Sequence, residues 1–529
     1  MMAELELCIT HHLLHICNSE SEKMSGKRRC PSHQSADCWQ PEPERTKLSD
    51  ATLDSKRESV IEQHSIDYIP HSERHGKVWH QGPFWFTGNF VLPTLVTGFI
   101  GPSMGLSVWF SVLSILLGAC FGTFFMAFHA NQGPRMGLPQ MIQSRAQFGS
   151  RGAIVPFAAT VFVYVGFMVF DTILATQGIG LIAPASKILW YPLLIALSII
   201  IAVVGHDLLH FVQRWLTYLL IVVFTIITIV AIVHFSSVPV VHGAAVATSG
   251  WNTVAFLVQF SIAAGYNISY AVYVSDYTRY LPSDVSAPKL ITSVYAGAAL
   301  SAVWLMSLGA LLASYIPNAD PILALHQIGD LLFPGFGTIT VLVSVLALIS
   351  IMGVNAYGAM LTGSSAIDGF TAVRPTVRLR VIGLVVVGVT SVIIALVIPD
   401  NYVSSFNSFV LLMLYFLVPW TAVNLVDFYF VRRGKYAIAE ILKPNGLYRR
   451  WAWRGMVAYS VGFLVMIPFF SVSFFVGPIA QMLGGADFSF AIGLAVSGGL
   501  YLLFSRSFDR KEEEKARVKS DAELEGAAR

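Results

Sequence analysis

Charge is what this chain has least of. Only 12% of its 529 residues are Asp, Glu, Lys or Arg, against 55% hydrophobic, where a soluble domain carries about a quarter charged. No glutamate occurs between Glu73 and Glu440, and Lys187 and Lys289 are the only lysines between Lys77 and Lys435. That desert leaves no room for a soluble catalytic domain inside the chain. The net charge of +3 is too small to point to nucleic acid as a partner. Cysteine is scarce as well. Cys8, Cys17, Cys30 and Cys38 fall in a polar leader and Cys120 in an apolar run, which gives no disulfide framework. His11, His12, His15 and His33 mix with the leader cysteines, yet their spacings match no compact zinc pattern. There is no phosphate loop, no metal-ligand pair on one helix face and no nucleophile elbow. Neither an enzyme nor a cofactor or metal site is expected.

What the chain has in abundance is long apolar runs. They fall at about 83–106, 108–128, 153–180, 189–206, 215–234, 251–273, 290–316, 337–362, 380–398, 403–430, 454–476 and 486–504. Each is near the length that crosses a bilayer as a helix, so the expectation is an all-α protein of twelve transmembrane helices. One set of alternate loops carries Arg135, Arg145, Arg151, Arg214, Arg279, Lys289, Arg374, Arg378, Arg432, Arg433 and Lys435, while the opposite set carries only Lys187. The excess of positive charge on the inner side puts both termini in the cytoplasm of a multi-pass protein of the cell membrane. Residues 1–77 have too little apolar content to fold and are expected as a disordered cytoplasmic tail, with Met24 as an alternative start. Residues 78–505 are expected to form one membrane-spanning domain that holds all twelve runs. Residues 506–529 mix both signs of charge and read as a solvated or disordered cytoplasmic tail without assigned function.

Spans one and six are anomalous in the same way. The first contains Gly88-Asn-Phe-Val-Leu-Pro-Thr-Leu-Val-Thr-Gly98 followed by Gly101-Pro102, and the sixth contains Ala264-Gly265-Tyr266-Asn267. Proline removes a helix donor and glycine loosens the backbone. Freed backbone groups at membrane depth are tolerable only where they line a cavity or site. Two interrupted helices, each opening a block of five spans, point to inverted repeats over about 83–234 and 251–430, with two extra helices within 454–504 and a binding site between the halves.

Polar residues inside spans carry the chemistry. Asp171 lies deep in span three, where a carboxylate costs at least ~2.5–3.5 kcal/mol. It is expected to face a polar cavity, and because burial disfavours the charged form it is the candidate for proton coupling. Phe167 and Tyr164 precede it by four and seven residues and share its helix face. An aromatic ring one turn from a polar group suits a flat heterocycle, stacked on its face and bonded along its edge. Asn355 in span eight both donates and accepts, as the mixed edge of a nucleobase requires. Asn267 and Thr94 complete the candidate substrate site; Asn89 reads as lying near the membrane surface. Asp276 and Arg279, three residues apart at the inner end of span six, read as gating or structural residues, and Asp427 as a similar inner-end anchor.

At these motifs the chain resembles the nucleobase–cation symporter family, the purine–cytosine permeases with their allantoin and hydantoin relatives. The resemblance rests on Gly137-Leu-Pro-Gln-Met-Ile-Gln-Ser-Arg-Ala-Gln-Phe-Gly-Ser-Arg-Gly152, on Ser275-Asp-Tyr-Thr-Arg-Tyr-Leu-Pro282, and on Val418-Pro-Trp420 with Val426-Asp-Phe-Tyr-Phe-Val-Arg-Arg-Gly-Lys-Tyr436. It covers about residues 78–505. It implies a leucine-transporter-type fold, five plus five helices and two more, with the substrate held among spans one, three, six, eight and ten. It places a span-three aromatic at Phe167, a polar partner at Asp171, a span-six contact near Asn267 and a span-eight asparagine at Asn355. Two departures stand out. Asp171 replaces an amide, which favours a substrate edge rich in N–H groups. Ile349 and Ser350 stand where sodium-coupled relatives carry a Ser-Thr pair, which favours H+ over Na+. The expected function is import of cytosine, a purine or a similar planar heterocycle by cation symport. The alternative is an allantoin, hydantoin, uracil or vitamin-precursor permease, with Na+ as the alternative coupling ion. The partners are that small molecule, the coupling cation and the lipid bilayer, and no oligomeric state is assigned.

Overall fold

A computed structural model describes residues 67–204, 206–234, 250–315, 320–371, 373, 376–399 and 402–527. The expected disordered leader, with its cysteines and histidines, lies outside the described residues except for 67–77. The main helices are α1 (Gln81–Asn89), α2 (Leu92–Thr97), α3 (Val108–His129), α4 (Ile154–Gly180), α5 (Lys187–Val204), α6 (His206–Val233), α7 (Thr253–Ile268), α8 (Val274–Thr278), α9 (Ala287–Tyr315), α10 (Phe336–Asp368), α11 (Val377–Val397), α12 (Val403–Val426), α13 (Trp453–Met466), α14 (Ser489–Phe504) and α15 (Arg510–Ala527). Among the described residues nine helices are long and apolar enough to cross a membrane, and a bent pair counts as a tenth. Two shorter apolar helices occupy the fourth and eleventh expected segments.

Local chemistry starts several of these helices. Asn252 accepts from the Ala255 N–H at 3.1 Å and Thr376 from the Leu379 N–H at 3.2 Å, side-chain caps that satisfy orphan donors at α7 and α11. Packing then sets two groups. The first is α3 along α7 with α9 across α1 and α3; the second is α4 along α10. The last two spans, α13 and α14, pack on each other and on α12. Close approach of α3 and α7 depends on small residues, as is usual between membrane helices. A Cβ at Gly122 would lie 2.2 Å from the Ala264 carbonyl oxygen. On the outside, α11 turns Ile382, Val386 and Val397 outward, as a lipid-facing helix must.

Both expected breaks are present, the first within the Gly88–Gly98 stretch and the second displaced. The first-span halves bend by 68°, and the break falls at Phe90 and Val91, whose backbones leave the helical region. Pro93 does not kink a continuous helix. It sits in the first turn of α2, where its missing N–H costs nothing. In span six α7 runs unbroken through Ile268, passes into a 3-10 turn at Ser269–Val272 and restarts at Val274. The sequence placed this break at Ala264–Asn267. Gly265 instead serves packing, because a Cβ there would come 3.0 Å from Leu414 Cβ and 3.1 Å from the Val410 carbonyl oxygen.

Beyond α14 the chain does not trail away. Glu513 and Ser520 of α15 are buried, and Ser520 Oγ accepts from the Ala439 N–H at 2.8 Å.

Candidate functional site

A cleft of about 470 Å3, counted to its open mouth, lies where the two interrupted helices face α4 and α10. The helix α4 brings Phe167 and Asp171 to it on one face, and α10 brings Ile351, Val354 and Asn355. The first span contributes Trp85, Gly88, Val91 and Pro93 around its break; span six contributes Tyr266, Tyr270, Tyr273 and Tyr277. Phe84, Gly88 and Tyr277 are partly exposed, whereas Phe167, Asp171, Asn355 and Tyr266 are buried. The mouth therefore lies on the side of α1 and α8, and the polar groups sit at the deep end.

Those polar groups form a short chain. The Tyr273 hydroxyl donates to Asn355 Oδ1 at 2.7 Å, and Asn355 Nδ2 donates to Asp171 Oδ2 at 3.4 Å. Asp171 is 1% exposed, and its Oδ1 has no hydrogen-bond partner among the described residues. A buried carboxylate oxygen with nothing to accept is costly, so Oδ1 calls for a further donor, whether a water, a ligand N–H or its own proton. Around it the walls are aromatic. Phe167 meets Tyr266 edge-on with centroids 5.6 Å apart and lies tilted against Tyr270 at 6.3 Å.

Of the residues singled out in the sequence, Phe167, Asp171 and Asn355 come together in the cleft lining. Thr94, Asn267 and Tyr164 do not line it. Thr94 Oγ1 donates to the Asn89 carbonyl at 2.6 Å and lies 2.9 Å from the Tyr266 hydroxyl. Asn267 spends its Nδ2 on the Ala263 carbonyl of its own helix, and its Oδ1 accepts from Asn89 Nδ2 at 3.0 Å. Asn89 is buried at the first break, not near a surface, and also donates to the Ala298 carbonyl. These amides tie the two breaks together. Tyr164 packs behind the lining, edge-on to Tyr273 at 4.6 Å.

Sequence reasoning missed the tyrosines. Tyr266, Tyr270, Tyr273 and Tyr277 recur at spacings of four, three and four, one helix face. Placing the break at Asn267 concealed that period.

Asp276 and Arg279 lie outside the lining. Asp276 Oδ1 accepts from the Gln140 N–H at 2.7 Å, and Arg279 reaches the carbonyls of Asp276 and Asp67 at 3.3 Å each. They fasten α8 to the loop after α3 and to the segment before α1. Asp427 is fully buried and accepts from Arg432, from Gln147 Nε2 at 2.6 Å and from the Tyr436 and Tyr501 hydroxyls at 2.8 Å. Among the described residues no group of three His, Cys, Asp or Glu is placed to hold a metal ion.

Comparison with known proteins agrees with this architecture. The family model described as "Permease for cytosine/purines, uracil, thiamine, allantoin" matches residues 68–493. Bacillus subtilis YxlA, provisionally named a purine-cytosine permease, is 37% identical over 84% of this chain and 96% of its own length. The purine-cytosine permease fcyB of Emericella nidulans is 26% identical over 85% of this chain and 89% of its own. Among solved structures, Mhp1, a nucleobase-cation-symport-1 family transporter in a closed conformation with bromovinylhydantoin bound, superposes with a TM-score of 0.68 at 16% identity. That match covers 87% of this chain and all of that one. The fold is therefore the transporter fold of Mhp1, and the chain belongs to the family of membrane permeases for cytosine/purines, uracil, thiamine and allantoin.

Proposed function

We propose that this protein is a secondary active transporter that carries a nucleobase, cytosine or a purine, or a similar planar heterocycle into the cell together with a proton. The carrying observation is the deep end of the cleft, where a buried carboxylate oxygen without a partner sits one helical turn from Phe167. A flat ring stacks on Phe167 among the tyrosines while an N–H on its edge donates to Asp171. Asn355, held by Tyr273, fixes the carboxylate.

Proton coupling follows from the same group. No Lys, Arg or His lines the cleft among the described residues, so an ionised Asp171 has no cation to compensate it. Ile349 puts hydrocarbon beside Ser350, leaving one hydroxyl where a hard cation such as Na+ needs several oxygens. The inner-loop excess of Arg and Lys favours cytoplasmic termini in the cell membrane. In that orientation the mouth beside Phe84 and Tyr277 faces the cytoplasm, the release side.

Uptake of labelled cytosine into proteoliposomes tests the reading. Saturable uptake driven by an imposed pH gradient supports it. Uptake that follows a Na+ gradient and ignores pH would overturn the coupling, and failure of every base to compete would overturn the substrate class.

A further inference from the structure

The hydrogen-bond inventory at Asp171 carries a more specific consequence, which rests on the transport reading above. Asn355 is committed at both atoms, Oδ1 to the Tyr273 hydroxyl and Nδ2 to Asp171 Oδ2. Thr94 and Asn267 are committed behind the wall. The Asp171 carboxyl is thus the group at the deep end with most capacity left for a ligand's edge, with Oδ1 unpartnered among the described residues and Oδ2 held only by a long 3.4 Å bond.

A carboxyl has two edges to offer, set by its protonation. Ionised, it presents two acceptors and pairs with two adjacent N–H donors, as on guanine or an amidinium. Protonated, it presents a donor beside an acceptor. It then pairs with an amino group next to a bare ring nitrogen, as on cytosine or adenine, or with a lactam N–H next to its carbonyl.

The surroundings decide between them. The titratable groups facing Asp171 are phenols, Tyr266, Tyr270 and Tyr273 of span six, and Tyr164 on its own helix lies behind them. The helices packed against α4 turn their charged groups elsewhere. Asp368 pairs with Arg145, Arg380 bonds the Val203 carbonyl, His326 pairs with Asp330, and Tyr415 bonds Asp487. Among the described residues no Lys, Arg or His lines the cleft to neutralise an ionised carboxylate against a neutral ligand.

We infer that the coupling proton and the substrate meet in one paired hydrogen bond at Asp171. The proton sits on a carboxyl oxygen and is donated to the ring nitrogen or carbonyl of the substrate, while the other oxygen accepts the neighbouring N–H. The proton enters from outside with the substrate and is lost to the cytoplasm, the side this cleft faces, when the substrate leaves and the donor has nothing to bond. One positive charge moves with each neutral substrate. Ligands whose only paired edge is two adjacent donors, such as an amidinium, are disfavoured because they face the carboxyl's own hydrogen.

The test compares the full-length protein with Asp171→Asn, whose amide offers a donor beside an acceptor at every pH. In purified protein, cytosine affinity of the native chain should fall on alkalinisation by up to about tenfold per pH unit, the loss expected when a bound proton is obligatory. Asp171→Asn should bind cytosine with no pH dependence, exchange labelled for unlabelled cytosine across vesicles, and fail to accumulate it on a pH gradient. A pH-dependent Asp171→Asn, or one that still accumulates cytosine, would overturn the inference. If that variant does not fold, the native protein still decides. Replacing the ring-nitrogen acceptor of cytosine by C–H should weaken binding at acid pH by about tenfold, one hydrogen bond's worth. Equal binding of the two at acid pH sinks the pairing. Saturable uptake with pH-flat native binding defeats the pairing and leaves the transport reading standing; absence of saturable uptake defeats the reading itself.

Discussion

Replacing Tyr273 by Phe removes one atom from the interior of the cleft, and the structure says what that atom does. The hydroxyl donates to Asn355 Oδ1 at 2.7 Å; Tyr273 is 5% exposed and Asn355 3%. Without it Asn355 keeps only its 3.4 Å bond to Asp171, and a buried amide oxygen loses its donor, a penalty of ~1–3 kcal/mol. The ring should stay, because it packs edge-on against Tyr164 at 4.6 Å and tilted against Tyr270 at 5.7 Å. The loss therefore appears in how firmly the Asp171 carboxyl is held. If about 1–1.4 kcal/mol of it is felt on binding, the KM for uptake rises roughly five- to tenfold. Initial rates of base uptake into proteoliposomes, with the thermal midpoint of the purified variant as a fold control, measure both. A Tyr273→Phe protein with native stability and a KM within about twofold of native would refute the chain of bonds as a functional device.

Three further outcomes follow from other contacts. Gly122→Ala forces a Cβ to within 2.2 Å of the Ala264 carbonyl oxygen, so α3 and α7 must separate, and the purified variant should lose several degrees of thermal midpoint. Gly499→Ala, with nothing within 4 Å of the added carbon, should not. Arg432→Met strips the cation from between Asp427 and Glu513 and should cost ~3–5 kcal/mol in unfolding assays, the usual result of leaving buried charge unpaired. Glu513→Gln should be much milder. Burial raises the Glu513 carboxyl above its ordinary value, against the pull of Arg432 and Tyr448. With the folded value raised, its contribution is present in acid and lost as pH rises through that value, so fixing it neutral should narrow the stability difference between acid and neutral pH.

The spans were legible because each is a long apolar run, a signal that survives without any knowledge of contacts. So was the depth of Asp171, since the cost of a carboxylate among apolar residues is a local property. The breaks were legible in kind, and in place only for the first, which falls within Gly88–Gly98. Pro93 and Gly265 announce irregular backbone, yet one begins a helix and the other lets α7 approach α12. The loops that do open are fixed by Asn89 and Asn267, which are 178 residues apart in sequence and 3.0 Å apart in space. No pattern within either segment encodes that pairing.

The same logic separates lining residues from supporting ones. Asn267 and Asn355 look alike in sequence, each a lone amide in an apolar helix. Asn267 can reach its own Ala263 carbonyl, so its amide nitrogen is satisfied locally while its Oδ1 accepts from Asn89 and Thr123. Asn355 finds its partners on two other helices, Tyr273 on span six and Asp171 on α4. An amide satisfied at home braces the scaffold; one satisfied only across helices is disturbed whenever those helices move. Span six restarts at α8 directly after Tyr273, so any swing of α8 that widens the mouth beside Tyr277 pulls first on the bond that orients Asn355. On the reading proposed above, opening the cleft and loosening the grip of Asp171 on the substrate are then one movement, which is what alternating access requires of a site that must hold on one side and release on the other.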